Sequence, residues 1–221
     1  MEAHFLETNP FQRCLIDALH YFCYAHERPK EQKEYSRTSI LSSCLAIEAL
    51  SNCCLEALEL EGKLQDEFDR LPPLAKLDLF LVTRNQKPLD RGDFNVQIAK
   101  KLISLRNDFV HPRYQKRAFR PKDAEIPGLD IKMDEMLGKR KGTDDLLQAD
   151  AKSVCIKLNG FLLHFVQAAR LSNTERLVIF SERVIFDCGK VQYQGGWSFE
   201  ALRAVKYLSL DMSWHPWYRD Q

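Results

Sequence analysis

The sequence predicts a mainly α-helical fold, an antiparallel helical bundle with a small mixed or helical appendage at its C-terminal end. Apolar residues recur with the spacing of one helix face in several long segments. Of the 221 residues, 45% are hydrophobic and only 9 are glycine and 9 proline, which is ordinary for a globular protein. A helical core of this size can be stable without disulfides. We expect the bundle over residues 1–172 and the appendage over residues 173–221.

The first two helices are predicted by two different apolar patterns. The segment 10–27 carries one apolar face, which consists of Phe11, Cys14, Leu15, Ala18, Leu19, Phe22 and Cys23. A second helix is predicted over residues 36–61, ending at Gly62, because glycine is favoured just after a helix. Residues 40–58 are apolar or small on nearly every side. We therefore expect this helix in the middle of the bundle.

Proline and aspartate mark the next two helices. Pro72-Pro73 predicts a short helix over about 74–83, since proline suits the first helical turn. Asp93 can cap the helix that follows. That helix ends where Pro112 excludes the α conformation at the preceding residue. Its apolar face consists of Phe94, Ile98, Leu102, Leu105 and Phe109.

The rest of the chain is less regular. Residues 113–143 are rich in charge, proline and glycine and are expected to form a long loop, followed by a helix over 144–171. The segments 176–180 and 183–186 are β-branched and aromatic enough for short strands, although helices are nearly as plausible. A helix is predicted over 198–208. Aromatic residues of the tail are expected to pack onto another surface, namely Trp197, Trp214, Trp217 and Tyr218.

Composition narrows the class of protein. The net charge of +1 gives no overall field that would favour or exclude an anionic partner. The N-terminus lacks a basic segment followed by an apolar one, and no run of ~18 apolar residues is present, so neither a secretory signal nor a membrane span is expected. Seven cysteines without paired C-x-x-C sets indicate core thiols in a reducing compartment. We expect a cytoplasmic protein without metal or cofactor.

The most informative stretch is Leu105-Arg-Asn-Asp-Phe-Val-His-Pro112, at the end of an amphipathic helix. Asn107 and His111 share a helix face, and Arg106 lies beside them, so the three can converge on one small ligand. A guanidinium binds phosphate through two hydrogen bonds, and an imidazole transfers protons near neutral pH. These residue types suit phosphodiester chemistry. A purely structural interpretation is also open, in which His111 caps helix carbonyls and Arg106 pairs with Asp108 or another acid.

The order Arg106-Asn107 followed by His111 resembles the R-(polar)-x-x-x-H signature of the HEPN superfamily, named for higher eukaryotes and prokaryotes nucleotide-binding. The segment 47–52, Ile-Glu-Ala-Leu-Ser-Asn, is similar to the second helix of such bundles. In organisation the resemblance covers residues 8–172. It implies a homodimer that brings two Arg–His pairs to one cleft. It also implies a metal-independent endoribonuclease, used as a toxin with an antitoxin partner or as an antiviral effector.

The resemblance also assigns roles to single residues. His111 would act as base or acid on the ribose 2′-OH, Arg106 would stabilise the phosphate, and Asn107 would orient them, leaving a 2′,3′-cyclic phosphate. Glu48 is a further candidate because a buried carboxylate needs a partner and Arg106 is available, although pairing elsewhere is the favoured interpretation. One branch of the family carries a modified tyrosine two residues after the histidine. Here Tyr114 comes three residues after, so we do not expect that modification.

Basic and aromatic residues follow the motif and are candidates for RNA binding, namely Arg113, Tyr114, Lys116, Arg117 and Arg120. Such alternation is typical of single-stranded nucleic-acid binding, but a solvated loop explains it equally well.

Two other functions stay open. The first is a catalytically silent HEPN module that binds a nucleotide or a partner protein through the same cleft, and the second is an interaction protein that docks a partner with its aromatic tail. A buried or capped His111 would favour the silent module.

Overall fold

A computed structural model describes residues 3–111, 133–134, 139–140, 146–186 and 189–217 of the chain. This part is mostly helical, so the predicted mainly α fold is confirmed. Its helices are α1 (Pro10–Glu27), α2 (Gln32–Glu56), α3 (Gly62–Phe68), α4 (Pro73–Thr83), α5 (Phe94–Val110), α6 (Gln148–Ala169), α7 (Asn173–Phe180) and α8 (Phe199–Leu208). Its strands are β1 (Ala3–Glu7), β2 (Met133–Asp134), β3 (Lys139–Arg140), β4 (Glu182–Phe186) and β5 (Val191–Gln194).

Helix α2 lies at the centre of the bundle, as the sequence predicts. It packs against α1, α4, α5, α6 and α7. Its interior includes serines as well as apolar residues, and two of the buried hydroxyls form hydrogen bonds within the protein. Ser39 Oγ donates to the carbonyl of Ala18 at 2.7 Å, and Ser43 Oγ donates to the carbonyl of Ser39 at 2.9 Å. Small side chains on α2 therefore let neighbouring helices approach while these two hydroxyls stay paired, although the buried Ser36 Oγ has no partner among the described residues.

The central position of α2 also explains why its sequence is so apolar. The segment Pro29–Glu56 is long and apolar enough to cross a membrane by length and composition alone. However, 72% of its most apolar window is buried inside the protein, which is the burial that the core helix of a soluble bundle shows. Its apolar residues are therefore accounted for by helix packing.

The end of α2 differs from the prediction. The helix ends at Glu56 rather than at residue 61, and Gly62 begins α3 instead of following α2. The chain leaves α2 through short turns in which the N–H of Leu58 bonds to Leu55 and that of Glu59 bonds to Glu56. Glu59 has a φ of 49°, the left-handed conformation that glycine adopts most easily. The glycine signal was wrong because a glutamate occupies the conformation that follows the helix.

The predicted helix starts hold at α4, α5 and α8. Pro73 occupies the first turn of α4, and Asp93 Oδ1 accepts the backbone N–H groups of Asn95 and Val96 at the start of α5. Ser198 caps α8 in the same way.

Two expectations about the helices do not hold. Phe94 is 58% exposed rather than part of the buried face, because it is the first residue of α5. Helix α6 begins at Gln148, four residues later than the predicted start at residue 144. Residue 144 and most of the expected loop lie outside the described residues. The short antiparallel pair of β2 and β3 lies within that expected loop.

The two segments that were open between strand and helix have different structures. Residues 176–180 lie in α7, whereas residues 183–186 lie in β4. Helix α7 starts with a capping box: the Glu175 N–H donates to Ser172 Oγ, and the Ser172 N–H donates to the Glu175 carboxylate. This Ser-x-x-Glu spacing is a helix signal that the strand interpretation overlooked. Strand β4 pairs antiparallel with β1 and β5, so the start of the chain and the appendage share one sheet.

The aromatic tail packs onto the protein itself. Trp214 is 1% exposed and lies against Phe11 and Phe180, with ring centroids 6.0 and 5.2 Å apart. Its indole N–H donates to Asn159 Oδ1 at 2.8 Å. Trp217, which is 45% exposed, donates its indole N–H to Ser181 Oγ at 2.7 Å. The expected packing is thus confirmed for Trp214, while Tyr218 lies outside the described residues.

His215 should make the protein less stable in mild acid. Burial lowers the pKa of this imidazole from 6.5 to about 3, against the opposing effect of the Phe180 carbonyl. Below pH ~6.5 the imidazole therefore binds a proton in the unfolded chain, whereas in the folded protein it stays neutral down to about pH 3. The stability that the neutral, buried imidazole contributes is thus intact above pH ~6.5 and is lost as the pH falls. We expect the free energy of unfolding in urea to fall by ~2 kcal/mol between pH 7 and pH 5.

The matched variants are His215→Asn, which keeps an acceptor for the backbone N–H of Trp217, and His26→Asn, which changes an exposed histidine. The first should lose most of this pH dependence and the second should retain it. Identical pH dependence in all three proteins would contradict the assignment to His215.

Candidate active site

Arg106 lies near the end of α5 and faces α2. Its Nη2 lies 2.7 Å from Oε1 and 2.6 Å from Oε2 of Glu48, and its Nη1 donates to Asn107 Oδ1 at 2.9 Å. The Arg106 and Glu48 side chains are 27% and 34% exposed. Contact with both carboxylate oxygens fixes the orientation of the guanidinium, which is what a phosphate-binding arginine requires.

Glu48 comes to this site because of its place on α2. Sequence reasoning favoured a partner elsewhere for this carboxylate, and that interpretation is wrong. Glu48 lies in the largely buried middle of α2, at a position that faces the last turns of α5. Only the packing of α2 against α5 reveals the pair, because the two residues are separated by 58 positions in sequence.

The guanidinium of Arg106 retains capacity for a further ligand. An arginine has five N–H groups, and three acceptor atoms of the described residues contact this one. Its Nε is buried and has no hydrogen-bond partner in the described part of the chain. An anion that reaches the guanidinium would compete with Glu48 and Asn107 for its Nη hydrogen-bond donors.

His111 forms the C-terminal boundary of α5. Its backbone N–H donates to the carbonyl of Asn107 at 2.8 Å, and its φ of −121° and ψ of 67° lie outside the helical region. The residue is exposed, and its ring forms no hydrogen bond with a described residue. The backbone, not the imidazole, therefore closes the helix, and the ring is available to solvent. The structure brings Arg106, Asn107 and Glu48 into contact and places His111 at the same helix end.

The other candidate RNA-binding residues cannot be placed in this way, because they lie outside the described residues. They are Arg113, Tyr114, Lys116, Arg117 and Arg120.

A groove of about 700 Å³ begins at Glu48 and continues along α2. Within it, Lys76 donates from Nζ to Asn52 Oδ1 at 2.7 Å and lies 3.8 Å from Asp69 Oδ1. Sequence reasoning missed Lys76. The signal that could have found this groove is the pair of polar residues Glu48 and Asn52, spaced four apart on an otherwise apolar helix.

A second cavity, of about 730 Å³, lies between the start of the chain, α2 and α7. Arg84 and Glu175 form an ion pair at its wall, and the hydrogen bond from Arg84 lowers the pKa of that carboxyl to about 2. Arg183 pairs with Glu7 at 2.8 Å in the same cavity. None of the described residues that line this cavity is a histidine.

Cysteine chemistry is not favoured in the described core. Burial raises the pKa of the Cys53 thiol to about 12 and that of Cys155 to about 11. These thiols are protonated at neutral pH and therefore weak nucleophiles. In the described ranges, no group of three or more His, Cys, Asp or Glu residues is arranged to hold a metal ion.

Comparisons of the chain with models of protein families, with curated proteins and with solved structures find no significant match. Any functional conclusion therefore depends on the residues of the site and on the resemblance of its motif.

Proposed function

We propose that this protein is a metal-independent endoribonuclease of the HEPN type that acts in the cytoplasm as a toxin or antiviral effector. One observation supports this most strongly. Arg106 is held by Glu48 and Asn107 on the same helix end that presents the solvent-exposed imidazole of His111. A fixed cation and an accessible proton-transfer group at one helix end are the two groups that phosphodiester cleavage by a ribose hydroxyl needs.

In this mechanism His111 removes the proton of the ribose 2′-OH, and the 2′-oxygen attacks the adjacent phosphorus. The bond from phosphorus to the 5′-oxygen breaks, and that oxygen takes a proton from an acid, for which a second histidine is available in a homodimer. The products are a 2′,3′-cyclic phosphate and a 5′-hydroxyl. Arg106 stabilises the charge that develops on the phosphate oxygens, and Glu48 and Asn107 hold the guanidinium in place.

The test is cleavage of a labelled single-stranded RNA by the full chain in excess EDTA, with analysis of the product ends. Wild type should give cyclic phosphate ends, and a protein carrying both R106A and H111A, purified in parallel, should give none. The double variant measures contaminating nuclease. Equal cleavage by the two preparations would overturn the proposal.

One observation favours a second candidate, a catalytically silent module that binds a nucleotide or a partner protein, such as an antitoxin, through the same cleft. The Nη groups of Arg106 already have protein partners. If those contacts serve only to join α2 to α5, the site would bind without cleaving. Retention of RNA or nucleotide by a wild-type protein that produces no cyclic phosphate would identify this function.

We expect the active form to be a two-fold homodimer, since each subunit would then contribute one Arg–His pair to a shared cleft. Light scattering after size-exclusion chromatography at micromolar concentration should give about twice the chain mass of 25.7 kDa. A monodisperse monomer under these conditions would contradict the expectation.

The basic segment after His111 should contribute RNA affinity with little sequence preference. Replacing Arg113, Lys116 and Arg117 together with serine removes three cations that would displace counterions from phosphates. We expect weaker binding of single-stranded RNA and a smaller dependence of affinity on salt, measured by fluorescence anisotropy from about 50 to 200 mM salt. Unchanged affinity and slope would show that this segment is an ordinary solvated surface.

A further inference from the structure

Lys76 is a buried cation that lines the groove beginning at the Arg106–Glu48 pair. Its side chain is only 7% exposed, and its ammonium has one hydrogen bond, to Asn52, and one longer ion pair, to Asp69. Because an ammonium has three N–H groups, one has no partner among the described residues. Burying a lysine costs free energy unless it is fully paired, so a ligand that completes this coordination would be favoured.

The position of Lys76 relates it to the candidate active site. Asn52 lies one helical turn beyond Glu48 on α2, a separation of about 6 Å. Arg106 contacts Glu48, and Lys76 contacts Asn52. The two cations therefore contact consecutive turns of one face of α2. A nucleotide whose phosphate is bound at Arg106 would extend its base toward Lys76.

The charge of the groove decides which part of a nucleotide fits there. Its charged and amide residues are Glu48, Asn52, Glu56, Glu59, Asp69 and Lys76, with Gln65 at its edge. Four carboxylates and one ammonium line the groove, so a phosphate would be repelled. A neutral base that offers a carbonyl oxygen to the ammonium and N–H groups to carboxylates would be attracted.

We propose that this groove binds a guanine base adjacent to the scissile phosphate, with O6 accepting from the ammonium of Lys76. The N1–H and the exocyclic N2 amine would donate to the groove carboxylates. Among the four RNA bases, adenine lacks the carbonyl, uracil lacks the exocyclic amine, and cytosine has no ring N–H between its carbonyl and its amine. Guanine offers the carbonyl, the ring N–H and the amine side by side. This inference rests on the proposed endoribonuclease function and specifies its substrate as RNA with guanine at the cleavage site.

The test uses 2′-O-methyl oligonucleotides, which lack the attacking hydroxyl and so remain intact, with one variable base in a constant adenine sequence. The variable base is guanine, inosine, 2-aminopurine or uracil, and affinity for the full chain is measured by fluorescence anisotropy in EDTA. Wild type should bind guanine about tenfold or more tightly than 2-aminopurine, which lacks both O6 and the N1–H, since hydrogen bonds to charged groups are at stake. Inosine, which lacks the N2 amine, should also bind less tightly than guanine.

Lys76→Met removes the ammonium but keeps a long unbranched side chain. It should lose the part of the guanine preference that O6 contributes, so its preference for guanine over 2-aminopurine should fall clearly below that of wild type. The dependence of affinity on salt should be unchanged, because the lost contact is to a base. The matched control is Lys152→Met, at an exposed lysine of α6 that lies over the Tyr207 ring, and it should retain the full preference for guanine.

The base series on wild type needs no variant, so it remains decisive if Lys76→Met fails to fold. Equal affinity of wild type for the oligonucleotides with guanine, inosine, 2-aminopurine and uracil would overturn the guanine site while leaving the ribonuclease proposal standing. A salt slope reduced by about one in Lys76→Met, with base preference retained, would assign Lys76 to a phosphate and also overturn it. Complete failure of wild type to bind any oligonucleotide would refute RNA as the substrate, and the guanine site with it.

Discussion

Replacing His111 with alanine is expected to slow RNA cleavage by about 100-fold or more, the usual scale for loss of a general base. The imidazole is exposed at the end of α5, and the helix is closed by the backbone N–H of the same residue. Alanine therefore removes proton transfer without removing a packing contact or a cap. Initial rates on a fluorescent RNA in EDTA should fall, while the melting temperature should remain near that of wild type.

The matched control is His26→Ala. His26 is also exposed, and its Nδ1 lies 3.1 Å from the side-chain amide of Gln148, in contact with α6. This variant should cleave RNA at the wild-type rate. Full activity in His111→Ala would show that the assignment is wrong. Unfolding of His111→Ala would instead support a purely structural role at the helix end.

Arg106→Lys extends the same prediction to the phosphate contact. Lysine keeps the positive charge but cannot contact two oxygens in the planar geometry of a guanidinium, so cleavage should also be impaired. Arg91→Lys, which changes an arginine paired with Asp78 on another surface, is the control. Cleavage at the wild-type rate by Arg106→Lys would show that charge alone suffices at this position.

Replacing Trp214 with alanine is expected to cost about 3–5 kcal/mol of the free energy of unfolding, the range observed when large aromatic side chains are removed from protein cores. Trp214 is almost fully buried and makes edge-on contacts with Phe11 and Phe180. Its removal leaves a cavity and deprives the buried Asn159 Oδ1 of its donor. Urea denaturation of the two proteins at pH 7 measures the difference.

Two variants separate the contributions to this loss. Trp214→Phe keeps an aromatic ring but loses the indole N–H, so it should fall between wild type and Trp214→Ala. Phe199→Ala removes an aromatic residue that is 70% exposed and should change stability by no more than about 0.5 kcal/mol. If Trp214→Ala unfolded at the same urea concentration as Phe199→Ala, the tail would not be part of the core.

Sequence patterns predicted the helices well where one physical cause dominates. The one-sided apolar spacing of α1, the proline at the start of α4 and the Asp93 cap of α5 each depend on neighbouring residues, and the structure confirms them. The end of α2 was misplaced because Glu59, not a glycine, adopts the left-handed conformation that follows the helix. A prediction that relies on glycine to mark a helix end does not detect such a residue.

At the candidate site, too, the residues close in sequence were predicted, and the contacts between helices were not. Arg106, Asn107 and His111 were found because they lie within six residues of one another in a motif. Their contact with Glu48, and the position of Lys76 on Asn52, required knowledge of how α2 packs against α5 and α4. Sequence spacing carries no information about such pairs, since each joins residues on different helices.

The sheet that joins β1 to β4 has a consequence for the order of assembly. Asn9 donates from its side chain to the carbonyl of Ile179, 170 residues later, and β1 pairs with the strand that follows. During synthesis the first strand therefore leaves the ribosome long before its partner exists. The helices α1 and α2 can associate early through local contacts, whereas this edge of the protein closes only after β4 has been made. Until then the segment before α1 lacks its strand partner, and an unpaired strand edge is a site where other chains can pair.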